Sequence, residues 1–494
     1  MHRLTISCFL SLILLVCSCS THIQEGRSTS KQKPNILWIA IENFKLDLGC
    51  YGAKNVHTPN MDALAADGIR YTNVFSTSPV CAPSRSAFMV GHYQTSTGTH
   101  HMRSHREDDF RLPEGIRPIT HRLQDAGYFT ANITHIGDKE VGTGKLDLNF
   151  VNEGPIYQSD DWQALKNNQP FFAQINTPEA EYDIYDRKSA EKDRVPWVGE
   201  EWHPQIATEE NVSIPPYYPD HPIVRQEWAR YLNSASGVDV RIGWVLDQLK
   251  EDGLADNTII ILFSDNGSME ARGIHWLWDM GIHVPLIIHY PKGIQAPTSY
   301  RPGSVNEEVI SLLDLTATTL DMAGIPKPVE MQSRIFLGNN PDPARTYAFS
   351  ARDRIDETVN RMRSVRGKRY HYLRNYMPDQ GMASLNRYKE KCFLVMPLLR
   401  EMYAAGTLSP AAAQLMEPLP YEELYDTQED PHEIQNLATS QDPEIQEILR
   451  TMRQELDTWM EETKDQGAIP EPAEIVAPFE QEMHDWFGTP DWYQ

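Results

Sequence analysis

The sequence predicts an α/β fold, a sheet with helices on both faces, and three observations carry that reading. Short, nearly continuous apolar runs recur at Pro34–Ile41, Gly127–Ile133, Pro170–Ile175, Thr258–Phe263 and Val284–Tyr290. Runs of this length closed by polar residues mark strands buried on both faces. Helical patterns lie between them, at Thr58–Gly68, Ile119–Ala126 and Trp228–Glu251, and such alternation builds a covered sheet. After about Gly338 the pattern changes to a basic, strand-like stretch, Met362–Tyr376, and a helix near Glu444–Met460.

Each element has a local cause. Pro34 opens the first strand, and Asn-Ile-Leu-Trp-Ile-Ala-Ile follows without a charge. The next helix turns Leu64 and Ala65 inward and stops at Gly68. Late in the chain Ile445, Ile448, Leu449, Met452, Leu456 and Trp459 recur at helical spacing, a stripe that packs onto a neighbouring sheet. Residues 379–420 and the Pro-rich, aromatic tail after Gln466 read as irregular excursions. No internal repeat is evident.

The chain has 494 residues, 40% hydrophobic and 23% charged, which gives it a sizeable core and excludes a disordered or fibrous protein. Its formal charge of −24 argues against nucleic acid as a partner, because the summed field repels phosphates. Mean hydropathy is −0.50, and the one long apolar run, Ile6–Val16, is too short to span a bilayer. Following Arg3, it reads as the core of a signal peptide. Cys8, Cys17 and Cys19 fall in this leader, which leaves Cys50, Cys81 and Cys392 far apart, without metal-type spacing. Val16-Cys17-Ser18-Cys19 resembles a bacterial lipobox, with Cys19 the acylated residue; the alternative is an ordinary secretory leader. The expected organisation is a lipoprotein signal peptide at 1–19, a polar tether at 20–33, a catalytic domain at 34–345 and a C-terminal subdomain at 346–494. The expected location is exported, periplasmic or outer-membrane-anchored, touching membrane only through the lipid.

The chemistry concentrates in Val80-Cys81-Ala82-Pro83-Ser84-Arg85-Ser86-Ala87-Phe88-Met89-Val90-Gly91. Pro83 suits a first helical turn, and the cysteine sits ahead of backbone N–H groups that favour anions. A cysteine so placed is a nucleophile candidate, although in isolation it would equally serve as a small buried helix cap. Cys81-x-Pro83-Ser84-Arg85 followed by Gly91 resembles the signature of the formylglycine-dependent sulfatases. In that family the cysteine is oxidised to an aldehyde, whose hydrate is the working nucleophile.

The resemblance runs along roughly residues 34–490. It includes Leu48-Gly49-Cys50-Tyr51-Gly52, Thr58-Pro59-Asn60, Val284-Pro285-Leu286-Ile287, and Leu424-Tyr425-Asp426 before Asp430-Pro431. It implies an alkaline-phosphatase-like fold, a large mixed sheet flanked by helices, with a smaller C-terminal α+β subdomain of a short antiparallel sheet plus a helix. It also implies a Ca²⁺ ion, with Mg²⁺ the alternative, on Glu42, Asn43, Asp265 and Asn266. Oxygen ligands at the carboxyl ends of central strands are where α/β sheets bind ions, although Asp-Asn-Gly is also a good turn by itself.

Departures from the family pattern are as informative. Asn43 replaces an aspartate, so the four ligands carry two negative charges instead of three. The Gly-Lys-x-His element is matched to Gly144-Lys145-Leu146-Asp147, which keeps the lysine and loses the histidine. A further family histidine falls on Glu181, and a lysine falls on Ile274, with Arg272 and His275 beside it. In compensation, His100, His101, Arg103, His105 and Arg106 cluster just after the nucleophile. The implied machinery is Cys81, Arg85, Lys145 and His275 for catalysis. Substrate contacts fall to His100, His101, Arg103, Glu181 and Arg272, and the general acid to His275, Glu181 or a member of the His100 cluster. The implied partners are a sulfated saccharide and a formylglycine-generating or anaerobic maturation enzyme. The expected activity is sulfate-ester or N-sulfate hydrolysis on a sugar, exo-acting on short oligosaccharides. A phosphate or phosphonate ester hydrolase and a non-catalytic glycan-binding descendant are the alternatives.

Overall fold

Strand β1, Asn35–Ile41, is buried at every residue, as its apolar run requires. In this computed structural model, which describes residues 33–105, 108–152, 154–177 and 203–493, β1 is the centre of the large sheet. The other strands are β2 (Ile69–Phe75), β3 (Phe129–Ile136), β4 (Lys139–Glu140), β5 (Ser159–Asp161), β6 (Phe171–Thr177), β7 (Thr258–Ser264), β8 (Leu286–His289) and β9 (Ser304–Ser311). Among the described residues they run in the order β4-β3-β6-β1-β7-β8-β2-β9, with β5 alongside β3. Strand β1 is parallel to both β6 and β7, and Ile41 stands level with Thr177 and Ser264. Three carboxyl ends therefore finish side by side.

Both faces are covered. Leu37, Ile39 and Ile41 belong to one apolar cluster, while Ile36, Trp38 and Ala40 belong to the other, the two-residue alternation of a strand. Trp38 makes edge contacts with Phe88, Phe172 and Phe263 at 5.9, 5.1 and 5.5 Å. Phe88 belongs to the Cys81–Val90 helix, so this cluster clamps that helix to the sheet. Removing such a ring costs about 3–5 kcal/mol in a well-packed core.

A second, antiparallel sheet follows: β10 (Ala348–Arg352), β11 (Met362–Arg366), β12 (Tyr370–Asn375) and β13 (Glu422–Asp426). The Pro443–Thr463 helix lies on it, with Leu449, Met452, Leu456 and Trp459 against Val365, Tyr372 and Leu424. Its cap is Asp442, whose side chain accepts from Glu444 N–H at 2.8 Å. Residues 33–494 form one compact unit, and the boundary expected at 345/346 falls in the connection between its two sheets.

The structure corrects several expectations. Met362–Tyr376 is not one strand but a hairpin, β11 and β12, turning at Gly367. The stretch 379–420 carries helices Arg387–Cys392 and Val395–Ala404, and the tail carries Ala473–Phe487. Strands β2 and β9 have no counterpart in the sequence reading, because their half-buried, polar-interrupted patterns lack a continuous apolar run. No helix among the described residues is long and apolar enough to cross a membrane. The leader with Cys19, Arg106 and Glu181 lie outside the described residues.

Candidate active site

The three level strand ends deliver the site. Glu42 and Asn43 follow β1, Asp265 and Asn266 follow β7, and Asn176 lies in the last turnout of β6. The Cys81–Val90 helix presents Cys81 at its first position and ends at Gly91, whose φ of 72° suits a residue without Cβ. Ser84 ties this helix to β7 by donating to Asp265 O at 2.6 Å. Gly267 allows the loop after β7 to fold tightly, since a Cβ there would meet Met280 O at 2.2 Å.

Arg85 is the hub. Its Nη2 donates to Glu42 Oε1, its Nε to Asp265 Oδ2 at 2.9 Å, and its Nη1 to Asn176 Oδ1 at 2.8 Å. Lys145 Nζ reaches the other Glu42 oxygen at 2.8 Å. Two buried carboxylates thus face two cations, the arrangement that makes ionised groups tolerable away from water. Burial opposes a charge on Arg85, but Glu42 and Asp265 hold the guanidinium protonated above its ordinary range. Burial pushes the Glu42 carboxyl up, against the pull of Arg85 and Lys145.

Cys81 Sγ lies 3.5 Å from Asn43 Oδ1, and Sγ, a Glu42 oxygen and an Asp265 oxygen all lie within 4.8 Å of one another. Asn43 sits at φ 53° in the left-handed region, which asparagine tolerates better than most residues. Its N–H and that of Asn266 both donate to Asp265 Oδ1 at 3.0 Å. Asn266 Oδ1 is a buried acceptor with no donor among the described residues. An orphaned carbonyl oxygen beside two buried carboxylates fits a hard divalent cation, so Glu42, Asn43, Asp265 and Asn266 make a suitable oxygen donor set.

Sequence reasoning missed the polar support beneath these groups. Asn176 Nδ2 donates to Asn132 Oδ1 at 3.0 Å and to Lys145 O at 3.1 Å, and Gln174 donates to Asn176 Oδ1 at 2.7 Å. A signal was present: Gln174 and Asn176 alternate with apolar residues in a fully buried strand that is otherwise apolar up to its last residue, Thr177. Asn149 also went unread, although its side chain donates to Thr99 O and His101 O at 2.9 and 2.7 Å and so fixes the histidine loop.

The flanking residues divide. His275, at φ 78°, donates its N–H to Pro79 O at 2.8 Å and so lies against the segment leading to Cys81. Burial drives its imidazole well below its usual range, and Lys389, Arg352 and Arg103 push it further. The His100 and His101 rings lie 4.2 Å apart, tilted by 44°, and burial holds both neutral. Arg103 lies 3.6 Å from Asp356 and over the Trp486 ring at 5.4 Å. His105 is structural, stacked on Phe110 at 3.7 Å and bonded to Asp108 at 2.7 Å. The resemblance places Arg272 among the substrate contacts, and in the structure its side chain is buried against the C-terminal region. Its guanidinium donates to His432 O and Glu433 O and lies between the Tyr217 and Trp278 rings, each 4.4 Å away. Two backbone acceptors and two aromatic faces hold the guanidinium, with Nε left without a partner among the described residues, so Arg272 fastens the loop after β7 to the C-terminal region.

The sulfatase family model matches residues 34–325, and a model described as N-sulphoglucosamine sulphohydrolase, C-terminal, matches 272–390. The chain is 32% identical over 480 residues to an ulvan-active sulfatase of Formosa agariphila, covering 89% of this chain and 77% of that protein. It is 26% identical over 476 residues to the N-sulphoglucosamine sulphohydrolase of Homo sapiens, covering 87% and 90%. A solved 2-O GAG sulfatase superposes with a TM-score of 0.59 at 20% identity, over 89% of this chain and 94% of that one. A family model spanning more than half of the chain, a relative matched along most of its length and the expected fold all agree: the chain belongs to the sulfatase family, of the alkaline-phosphatase-like superfamily, whose enzymes hydrolyse sulfate esters.

Proposed function

We propose that this enzyme removes sulfate from a sugar, acting at the ends of short sulfated oligosaccharides through a formylglycine made from Cys81. The observation that carries this reading is the Arg85 hub, which gathers Glu42, Asp265 and Asn176 around the position of the nucleophile. Converted to a hydrated aldehyde, residue 81 would supply one hydroxyl to attack sulfur and a second to expel sulfate. A divalent ion, for which Ca²⁺ suits the all-oxygen set, would add Lewis-acid polarisation of the sulfate.

The chain's own residues supply the rest. Arg85 orients the nucleophile and balances its charge, and Lys145, poised on Glu42, offers its ammonium to the sulfate oxygens. Such preorganised charge lowers a barrier by several kcal/mol in a water-poor site. Burial, and then the neighbouring cations, keep His275 neutral, so it would protonate the leaving oxygen only after an anionic substrate favours its charged form. The strongly acidic surface repels long polyanions, which favours short saccharides carrying the sulfated sugar at one end. The relatives' names, an ulvan-active sulfatase and an N-sulphoglucosamine sulphohydrolase, support a saccharide without selecting O- or N-sulfate. Export on a lipid anchor at Cys19, after maturation by a separate enzyme, completes the proposal.

The test pairs mass mapping of the residue 81 peptide with sulfate release from sulfate and phosphate aryl esters. Conversion lowers the peptide mass by about 18 Da, and the sulfate ester should be the faster substrate. Full activity with an unmodified thiol would sink the formylglycine mechanism.

A further inference from the structure

Arg352 ends β10, and β10 lies against the segment that leads into the nucleophile. Ala351 N–H donates to Thr77 O at 2.9 Å, and the Ser350 hydroxyl donates to Ser76 O at 2.6 Å. His275 N–H bonds Pro79 O on the same segment, and the next residue, Trp276, carries the Arg352 guanidinium 3.9 Å from its ring centroid.

The side chain of Arg352 is anomalous. The residue is 2% exposed, yet among the described residues Nε and Nη1 are buried donors without an acceptor, and no ion pair joins it to any of them. Its neighbour Asp353 accepts from Arg363 through Oδ1 at 3.1 Å, and Asp353 Oδ2 is buried without a hydrogen-bond partner among the described residues. Burial pulls the Arg352 guanidinium down to about 9, with Asp353 opposing. A buried, unpaired cation is unfavourable and is not retained for packing alone.

Its surroundings point the same way. The charged groups that act on His275 are Lys389, Arg352 and Arg103, all cations. Lys389 Nζ donates to Ala271 O and Ile274 O, each at 2.5 Å, and so props the loop that carries His275. Both ring nitrogens of His100 are likewise buried without partners. Asp356 lies 3.6 Å from Arg103 and, with Glu270, acts on Lys389, whereas at Arg352 burial outweighs the pull of Asp353.

We propose that Arg352 is a specificity residue that holds a second oxyanion of the sugar, a carboxylate or another sulfate, next to the sulfate being cleaved. The guanidinium offers Nε and Nη1 as separate donors in one plane, which the Trp276 face sets. Lys389 acts as a positioning residue through the Ala271–Ile274 carbonyls. The proposal rests on the sulfatase reading of Cys81.

The experiment uses the full, matured chain and its Arg352→Met variant, with selenate as a heavy-atom probe in sulfate-free crystals and in calorimetry. The expected result is two selenate sites, one at Cys81–Arg85–Lys145 and one at Arg352, the second weakened at least about tenfold in Arg352→Met. Displacement of the second ion by glucuronate or by glucose 6-sulfate then identifies the carboxylate or the sulfate. Melting temperature should hold or rise in Arg352→Met, because an unpaired buried charge has been removed. A lower melting temperature with unchanged selenate binding would make Arg352 structural and overturn the proposal. Selenate at the nucleophile but not at Arg352 overturns it while the sulfatase reading stands, whereas selenate at neither position removes both. If Arg352→Met does not fold, Arg352→Lys, which keeps charge but loses the fork, should raise KM for a doubly charged sugar several-fold at constant kcat. An equal loss in kcat would also overturn it.

Discussion

The two sides of the Cys81 site follow opposite electrostatic plans. On the sheet side, Glu42 and Asp265 are matched by Arg85 and Lys145, and Asn176, Asn132 and Gln174 brace them at hydrogen-bond distance. On the side formed by the 271–276 loop and the end of β10, cations crowd His275, and Arg352 and His100 keep unused nitrogens. The first side is completed by folding, so its geometry exists before substrate arrives. The second keeps unpartnered nitrogens, which are assigned above to a substrate anion.

If that division holds, substitutions on the two sides should fail differently. Cys81→Ala should have the largest effect, lowering kcat by about four orders of magnitude or more, as loss of a covalent nucleophile does. Near-normal turnover in single-turnover assays would end the covalent reading. Lys145→Met should lower kcat by roughly a hundredfold at a modest change in KM. Arg103→Ala should instead raise KM by about tenfold and leave kcat within a factor of about two. The reverse pattern in steady-state kinetics would erase the distinction between the two sides.

Substrate length gives a smaller contrast. Sulfate release from a polysaccharide digested to short oligomers should outpace release from the intact polymer, most clearly at low ionic strength where repulsion is least screened. Equal or faster rates on the polymer would favour an open groove. On the paired side, Asn43→Asp adds the carboxylate that the oxygen set lacks and should tighten Ca²⁺ several-fold by calorimetric titration. Equal or weaker affinity would remove Asn43 from the ligand set.

The smallest effect is on stability. Burial holds His92 and His283 neutral, each lowered from 6.5 to about 4. The unfolded chain takes up these protons near pH 6.5, while the folded chain resists until near pH 4. Their stabilising contribution is therefore complete above about pH 6.5 and falls as pH drops through that window, by up to roughly 1.4 kcal/mol per unit for each histidine. Thermal melts across the window should show the decline, and His92→Gln should flatten it. An unchanged slope would place the acid sensitivity elsewhere.

Much of the catalytic side was legible before the structure. The all-apolar run of β1 fixed its place in the sheet, and the polar pairs Glu42-Asn43 and Asp265-Asn266 mark the carboxyl ends of strands. Cys81 and Arg85 lie four residues apart in one helix, so local geometry already aims them together. Lys145 was also readable, although its partner, Glu42, was not. Chain segments with half-buried patterns, such as β2 and β9, were not legible, because periodicity speaks clearly only where one environment persists along the run.

The amino-acid sequence by itself determined the central strands, the Cys81–Val90 helix and the place of the polar pairs Glu42-Asn43 and Asp265-Asn266 at strand ends, since apolar period, helix spacing and turn residues act over a few positions. Only the tertiary structure decided that Arg272 serves the loop's anchorage, and that Arg352 and Lys389, from the C-terminal region, stand beside His275. Such assignments depend on which distant side chains share a buried volume. Whether an arginine there finds two carbonyls or no acceptor is set by packing between sheets, which no local pattern of residues encodes.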